Sequence, residues 1–176
     1  MQLNEILKFI QQGGETQRFH TVRTIQPQNV GHHSFGVVWL LWLLTEGRAS
    51  SRLLMAGAAH DLPEQIVGDI PAPVKRRIGA AWEALHNMED EILKQYGMKF
   101  ELSAEEIIYL SIADRMDGML FCCRERTLGN TGIDNVMQNF TTYTKDSINK
   151  FSGHNERALN LYTAIIQLWE LANDNG

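Results

Sequence analysis

The sequence predicts a single domain with an all-α fold. Apolar residues recur at helical spacing along most of the chain, and Gly, Pro or capping residues separate these segments. No segment alternates apolar and polar residues as a half-buried strand does. With 176 residues, the chain has the size of one domain and can bury a sizeable core.

The first two predicted helices flank a polar loop. Residues 3–14 keep helical spacing until Gly13-Gly14, and a loop follows at residues 15–31. The second helix begins within residues 29–31 and ends near Glu46. Its run V-V-W-L-L-W-L-L, residues 37–44, is too short to span a bilayer and is interpreted as a buried core helix. His33 shares the face of this run, so its ring points inward, as a core histidine or as a ligand.

The third helix, capped by Ser50 or Ser51, delivers the pair His60-Asp61 at the polar end of an apolar run. An adjacent imidazole and carboxylate suit a divalent metal ion. A short helix can begin at Pro63. Prolines then interrupt the chain, which predicts a rigid turn over residues 68–73.

The later segments are also helical. Apolar positions from Val74 to Ile92 predict one long amphipathic helix. Ser103 and Glu106 fit a capping box before a helix that places Asp114, Asp117 and Phe121 on one stripe. A carboxylate on an apolar stripe is costly unless it is paired or bound to metal. Two further helices are predicted at residues 133–150 and around residues 159–169.

Composition excludes several classes of protein. The net charge of -5 argues against broad binding to nucleic acid or to an anionic membrane. The cysteines are the neighbours Cys122 and Cys123, which leave no disulfide framework and favour a reducing cytoplasm. The first residues do not read as a signal peptide.

Four inward-capable ligands therefore stand on three predicted helices: His33, His60, Asp61 and Asp114. Two nitrogens and two oxygens leave open positions on a six-coordinate ion, where water and a phosphate oxygen can bind. The order H…HD…D on a helical bundle resembles the HD-domain phosphohydrolases.

The resemblance extends beyond that signature, from about residue 18 to residue 120. It is carried by Arg18 with Phe19, by Asn29-Val30 before His33-Ser34, by Glu64 after the His-Asp pair, and by the run G-D-I-P-A-P-V-K at residues 68–75. These motifs look like the bacterial 5′-deoxynucleotidases. In its short length and in having both Arg18 and Lys75, the chain is most similar to small phage dATP triphosphohydrolases of the DatZ type. These enzymes come from phages that replace adenine by 2-aminoadenine. The sequence after Phe121 matches little and predicts nothing about the reaction.

The resemblance implies a divalent metal at the four ligands, Zn²⁺, Co²⁺ or Mn²⁺, with Mg²⁺ on the triphosphate. It implies hydrolysis of a deoxynucleotide, with dATP favoured, in a homo-oligomer that is a dimer or a hexamer. Glu64 and Asp69 are the expected catalytic residues. The expected substrate-binding residues are Arg18, Phe19, His20, Val22, Arg23 and Lys75.

Each assignment has a structural alternative. Glu64 can orient water or only cap a helix. Asp69 can contact the sugar, protonate the leaving oxygen or stabilise its turn. Phe19 and Val22 can line a nucleoside pocket or pack in the core, and Asp117 can support a metal ligand or pair helices. The competing functions are a 5′-deoxynucleotidase acting on monophosphates and a catalytically silent metal-binding module. Exposed Trp39, Trp42 or Phe121 are the expected subunit contacts.

Overall fold

A computed structural model describes residues 2–75, 77–151 and 155–174 and confirms the all-α prediction. In these residues no strand forms, and an isolated bridge joins Gln17 to Asn29. The helices are α1 (Leu3–Glu15), α2 (Val30–Leu44), α3 (Ser51–Ala59), α4 (Glu64–Val67), α5 (Ala72–Lys75), α6 (Ala80–Gln95), α7 (Ala104–Thr127), α8 (Asp134–Ile148) and α9 (Glu156–Asp174), with a 3-10 turn at Thr131–Ile133.

The 24-residue helix α7 is the axis of the fold. It packs against α2, α8 and α9, and its side chains Ile112, Met116 and Met119 are fully buried. The predicted capping box is present, because Ser103 Oγ accepts a hydrogen bond from Glu106 N and the Glu106 carboxylate accepts one from Ser103 N. Every other element that carries a predicted metal ligand is positioned around this helix.

Helix α2 begins at an Asn29 cap, whose side-chain oxygen accepts from His32 N at 2.8 Å. Val37 and Leu41 are fully buried against α7 and α3. The interpretation of residues 37–44 as a buried helix holds for this face only, since Trp39 and Trp42 are about half exposed on the other. No helix in the described residues combines the length and the apolar character needed to cross a membrane.

The predicted helix from Val74 to Ile92 is wrong at its start. The structure has α5, then a break at Gly79, and α6 begins at Ala80. Gly79 has φ +51°, which lies in the left-handed region where helices of L-residues do not continue. The break leaves Lys75 at the end of a short separate helix rather than in the middle of a long one.

Candidate metal and nucleotide site

Helices α2, α3 and α7 bring the four predicted ligands together. His33 lies in the first turn of α2, His60 caps the C-terminus of α3 with Asp61 next to it, and Asp114 lies midway along α7. The Nε2 atoms of His33 and His60 are 3.3 Å apart. His33 Nε2 is 3.3 Å from Asp61 Oδ2 and 3.2 Å from Asp114 Oδ1. The converging helices therefore create a single cluster.

Both imidazoles are oriented by a hydrogen bond on the far side of the ring. His33 Nδ1–H donates to Asp117 Oδ2 at 2.7 Å, and His60 Nδ1–H donates to the carbonyl oxygen of Gly57 at 2.9 Å. A histidine that donates through one ring nitrogen can offer the lone pair of the other. Both Nε2 atoms consequently face the cluster as potential ligands.

Asp117 is held tightly behind His33. Gln28 Nε2 donates to Asp117 Oδ2 at 3.0 Å, so this oxygen accepts two hydrogen bonds in a buried position. Helix α2 allows the approach because it carries Gly36, where an added Cβ would lie 1.9 Å from Asp117 Oδ1. Asp117 on α7 therefore contacts the predicted metal ligand His33 on α2, and the same contact pairs the two helices.

The donor set fits one divalent ion. One nitrogen or oxygen from each of the four residues lies within 4.8 Å of the others. Opposite ligands of a single ion at about 2.1 Å would be roughly 4.2 Å apart, so small side-chain adjustments close the set. Two imidazoles and two carboxylates suit several divalent metals, which leaves the metal's identity open.

Glu64 lies beside the cluster as the first residue of α4. Its side chain is almost fully buried, and Oε2 has no hydrogen-bond partner among the described residues. Burial and the negative charge of Asp61 raise the pKa of Glu64 to about 9. With a pKa of about 9 the carboxyl group is protonated near neutral pH, and the positive charge of an ion bound at the adjacent residues would lower this pKa and favour the carboxylate that a general base requires.

Arg18 brings a positive charge next to the cluster. Its Nη1 forms an ion pair with Asp61 Oδ2, and its Nη2 is 4.0 Å from Asp114 Oδ1. Burial by itself lowers the pKa of Arg18, but the carboxylates of Asp61 and Asp114 outweigh burial and raise it. The guanidinium stays charged and is placed where a phosphate oxygen bound beside the cluster would meet it.

Two carboxylates hold the loop that carries Arg18 in place by accepting hydrogen bonds from its backbone N–H groups. Phe19 has φ +58°, an unusual conformation for a non-glycine residue, and its N–H donates to Asp69 Oδ2 at 3.1 Å. Farther along, the buried Glu125 carboxylate accepts from Ile25 N at 2.6 Å and from Gln26 N at 2.8 Å. The loop is thus built into the site by two carboxylates.

A cavity of about 220 Å³ opens beside the cluster. It brings together most of the residues predicted to act: Arg18, Phe19, Val22, Asp61, Glu64, Asp69, Lys75 and Asp114. His20 and Arg23 do not line it. His20 is exposed and its Nδ1 lies 3.7 Å from Asp69 Oδ2, while exposed Arg23 contributes a carbonyl oxygen to Asn130 Nδ2.

The expectation that Phe121 is exposed for subunit contact is wrong. Its side chain is 3% exposed and stacks on the Phe19 ring, with the two centroids 4.4 Å apart. The reason is the position of Phe121 on the inner face of α7, opposite the cavity-facing loop. Phe19 therefore both packs against the core and lines the cavity, and its role in a nucleoside pocket stays a prediction.

No motif in the sequence indicated that α8 contributes to the candidate site. One face of this helix lines the cavity with Val136, Asn139, Phe140 and Tyr143. Their spacing of 3, 4 and 7 residues defines a single helical face and was visible in the sequence. What the sequence could not show is that this face lines the same cavity as the predicted metal ligands Asp61 and Asp114.

Comparison with known proteins gives a consistent family. A family model described as 5′-deoxynucleotidase YfbR-like matches residues 6–160. A 5′-deoxynucleotidase of Photobacterium profundum is 22% identical over 137 residues, which cover 65% of this chain and 71% of that protein.

Two solved structures share the helical fold. The HD phosphohydrolase DatZ of cyanophage S-2L, bound to dA and one catalytic Zn²⁺, is 18% identical with a TM-score of 0.72, covering 97% of this chain and 98% of that chain. A protein of Pyrococcus horikoshii OT3 is 20% identical with a TM-score of 0.72, covering 94% and 99%. Both alignments include α8 because they extend over nearly the whole chain.

Proposed function

This chain belongs to the YfbR-like 5′-deoxynucleotidase family of metal-dependent HD-domain phosphohydrolases, and from that premise we propose that it hydrolyses dATP to deoxyadenosine and triphosphate. The observation that carries the proposal is a cavity with both cations, Arg18 and Lys75, beside the four potential metal ligands. A solved structure of the same fold, DatZ, holds dA and a catalytic Zn²⁺. Two cations suit a polyphosphate better than a single phosphate group.

The chemistry follows from the positions of the side chains. A divalent ion at His33, His60, Asp61 and Asp114 would polarise a phosphoryl oxygen and acidify a water molecule. Glu64, with an unpartnered buried oxygen, accepts the proton as the water oxygen forms a bond to the α-phosphorus. The bond from phosphorus to the 5′ oxygen breaks, and that oxygen takes up a proton. Arg18 binds the phosphate oxygens as a planar fork.

The runner-up is a 5′-deoxynucleotidase, which releases one phosphate from a deoxynucleoside monophosphate. The description of the matching family and the Photobacterium profundum relative favour it. The same side chains would serve this reaction, with the bond cleavage unchanged and orthophosphate as the product. The two activities differ in how many phosphates the cationic side of the cavity must hold.

One experiment separates these reactions. The purified protein is incubated with dATP or dAMP and with Mg²⁺, Mn²⁺, Co²⁺ or Zn²⁺, and the phosphate products are identified by ³¹P NMR. Equal amounts of deoxyadenosine and triphosphate from dATP are expected. Orthophosphate from dAMP, with dATP intact, would establish the nucleotidase instead, and no turnover of either would point to a silent module. A His33→Ala variant, purified in parallel, controls for contaminating phosphatases.

Asp69 is expected to act by positioning Phe19. Asp69→Ala removes the acceptor for Phe19 N–H and should raise KM for dATP several-fold more than it changes kcat. Asp69→Asn keeps a side-chain oxygen for this hydrogen bond and should restore KM. Steady-state kinetics of the two variants test this. If Asn is as damaging to kcat as Ala, Asp69 acts instead as a proton donor.

We also propose that the protein is a homo-oligomer whose subunits meet on α2. Phe35, Trp39, Trp42 and Leu43 are exposed at spacings of 4, 7 and 8 residues, which places them on one face of the helix. The rings of Phe35 and Trp39 are in edge contact, at 6.4 Å between centroids. Several large apolar side chains exposed on one helical face are typical of an interface.

Trp39→Lys should therefore dissociate the oligomer. A charge in the centre of an apolar interface is desolvated without a partner, which costs several kcal/mol. Light scattering coupled to size-exclusion chromatography measures the mass. Met88→Lys, at an exposed apolar position of α6, is the matched control and should leave the mass unchanged. A wild-type protein that is already monomeric would refute the proposal.

A further inference from the structure

The lining of the cavity divides into a charged part and an uncharged part. The charged side chains include Asp61 and Asp114 of the metal-ligand cluster, together with Arg18, Glu64, Asp69 and Lys75. The uncharged polar groups are Thr21, Asn139 and Tyr143, set among apolar side chains. A nucleotide has the same division, because its phosphates are charged while its base is a flat ring with neutral donors and acceptors. The uncharged part is consequently suited to the base.

Packing against α7 fixes the position of the face of α8 that lines the cavity. Phe140 is seated on Gly118 of α7, where an added Cβ would lie 2.5 Å from the Phe140 ring. The Phe140 ring also meets Phe19 edge-on, with 6.2 Å between centroids. Asn139 directly precedes this anchored residue, so the position of its backbone relative to the charged part of the cavity is set by core packing.

Asn139 brings a neutral donor and a neutral acceptor to the cavity. The residue is exposed, its side chain lines the cavity, and within the described ranges no hydrogen bond joins that side chain to another group. A carboxamide pairs in bidentate fashion with adenine, donating to N7 and accepting from the N6 amino group. Guanine presents two acceptors, N7 and O6, at the same edge and cannot satisfy the carboxamide oxygen.

We propose that Asn139 reads the N7 edge of the base and selects adenine over guanine. This inference rests on the proposed function, since it takes a deoxynucleotide as the substrate. The inference adds a specificity-determining residue on α8, a helix to which the sequence analysis assigned no function. The base would enter with its edge toward α8 and its sugar toward Phe19 and the charged part of the cavity.

Binding of nucleosides tests the inference without requiring turnover. Dissociation constants are measured by isothermal titration calorimetry, with and without added Zn²⁺, for 2′-deoxyadenosine, 2′-deoxyguanosine and 7-deaza-2′-deoxyadenosine. The wild-type protein should prefer deoxyadenosine to deoxyguanosine by roughly 5- to 150-fold, the range for one bidentate contact. The 7-deaza analogue, which lacks the N7 acceptor, should bind more weakly than deoxyadenosine.

Asn139→Ala should remove both differences, so that the three nucleosides bind within about twofold of one another. Gln138→Ala removes an exposed carboxamide one residue earlier on α8, outside the cavity lining, and should keep the wild-type preference. Equal weakening of all three nucleosides by Asn139→Ala would refute base reading, as would an unchanged preference or no nucleoside binding by the wild-type protein.

The failure of this inference can be told from the failure of the proposed function. If dATP is hydrolysed and Asn139→Ala keeps the full preference for adenine, the function stands and the inference is wrong. If neither dATP nor dAMP is hydrolysed but the preference is present and depends on Asn139, the inference stands and the proposed reaction is wrong.

Discussion

Replacing Glu64 with Gln should lower kcat for dATP by roughly 10²- to 10⁴-fold, the range for losing a general base. Gln has the shape of Glu and keeps a hydrogen-bonding side chain, but it cannot accept the proton of the attacking water. KM should change little, because Glu64 lies beside the ligand cluster and is not one of the four residues assigned to the ion.

The same substitution should not unfold the protein. The pKa of Glu64 is raised to about 9, so the folded protein disfavours the charged carboxylate, and a neutral isostere removes that penalty. The melting temperature should be equal to or above that of the wild type, and bound metal, measured by atomic emission after dialysis, should match the wild type. Glu83→Gln, in the first turn of α6, is the control for loss of a carboxylate away from the site. A Glu64→Gln enzyme with more than a tenth of wild-type kcat would exclude Glu64 as the base.

Replacing Gly36 with Ala should lower metal affinity by roughly 10- to 100-fold, the usual cost of losing the partner that orients a ligating histidine. The new methyl group would lie 1.9 Å from Asp117 Oδ1, so the carboxylate must move away from α2. The move breaks the 2.7 Å hydrogen bond to His33 Nδ1 and the bond from Gln28. His33 then loses the contact that holds its Nε2 toward the other ligands.

Metal competition titrations with a chromophoric chelator measure the change. Gly14→Ala is the matched control, because it adds a methyl group to helix α1 at a position whose nearest neighbour is 3.9 Å away. Asp117→Asn should weaken metal binding to a similar degree, and the double variant should be no worse than either single one if both act through the same carboxylate. Wild-type affinity in Gly36→Ala would show that Asp117 does not orient His33.

Local sequence was sufficient for the elements and for the family. Helical spacing, the Ser103 capping box and the Asn29 region predicted helices that the structure contains, because caps and apolar periodicity act within a few residues. The prediction failed at residues 74–79, where the apolar spacing continues through Gly79 although its backbone is left-handed. The backbone conformation of this one glycine interrupts the helix, although the apolar periodicity continues through it.

The sequence by itself determined an all-α chain and the four residues that can hold a metal ion, since an inward His or Asp on a helix has few uses other than pairing or ligation. Tertiary structure alone decided that α8 lines the cavity beside the four potential metal ligands, that Gly36 admits Asp117 behind His33, and that Phe121 is buried under Phe19. The physical reason is that periodicity fixes which residues share a helical face, whereas the choice of which faces meet depends on contacts between residues distant in the chain.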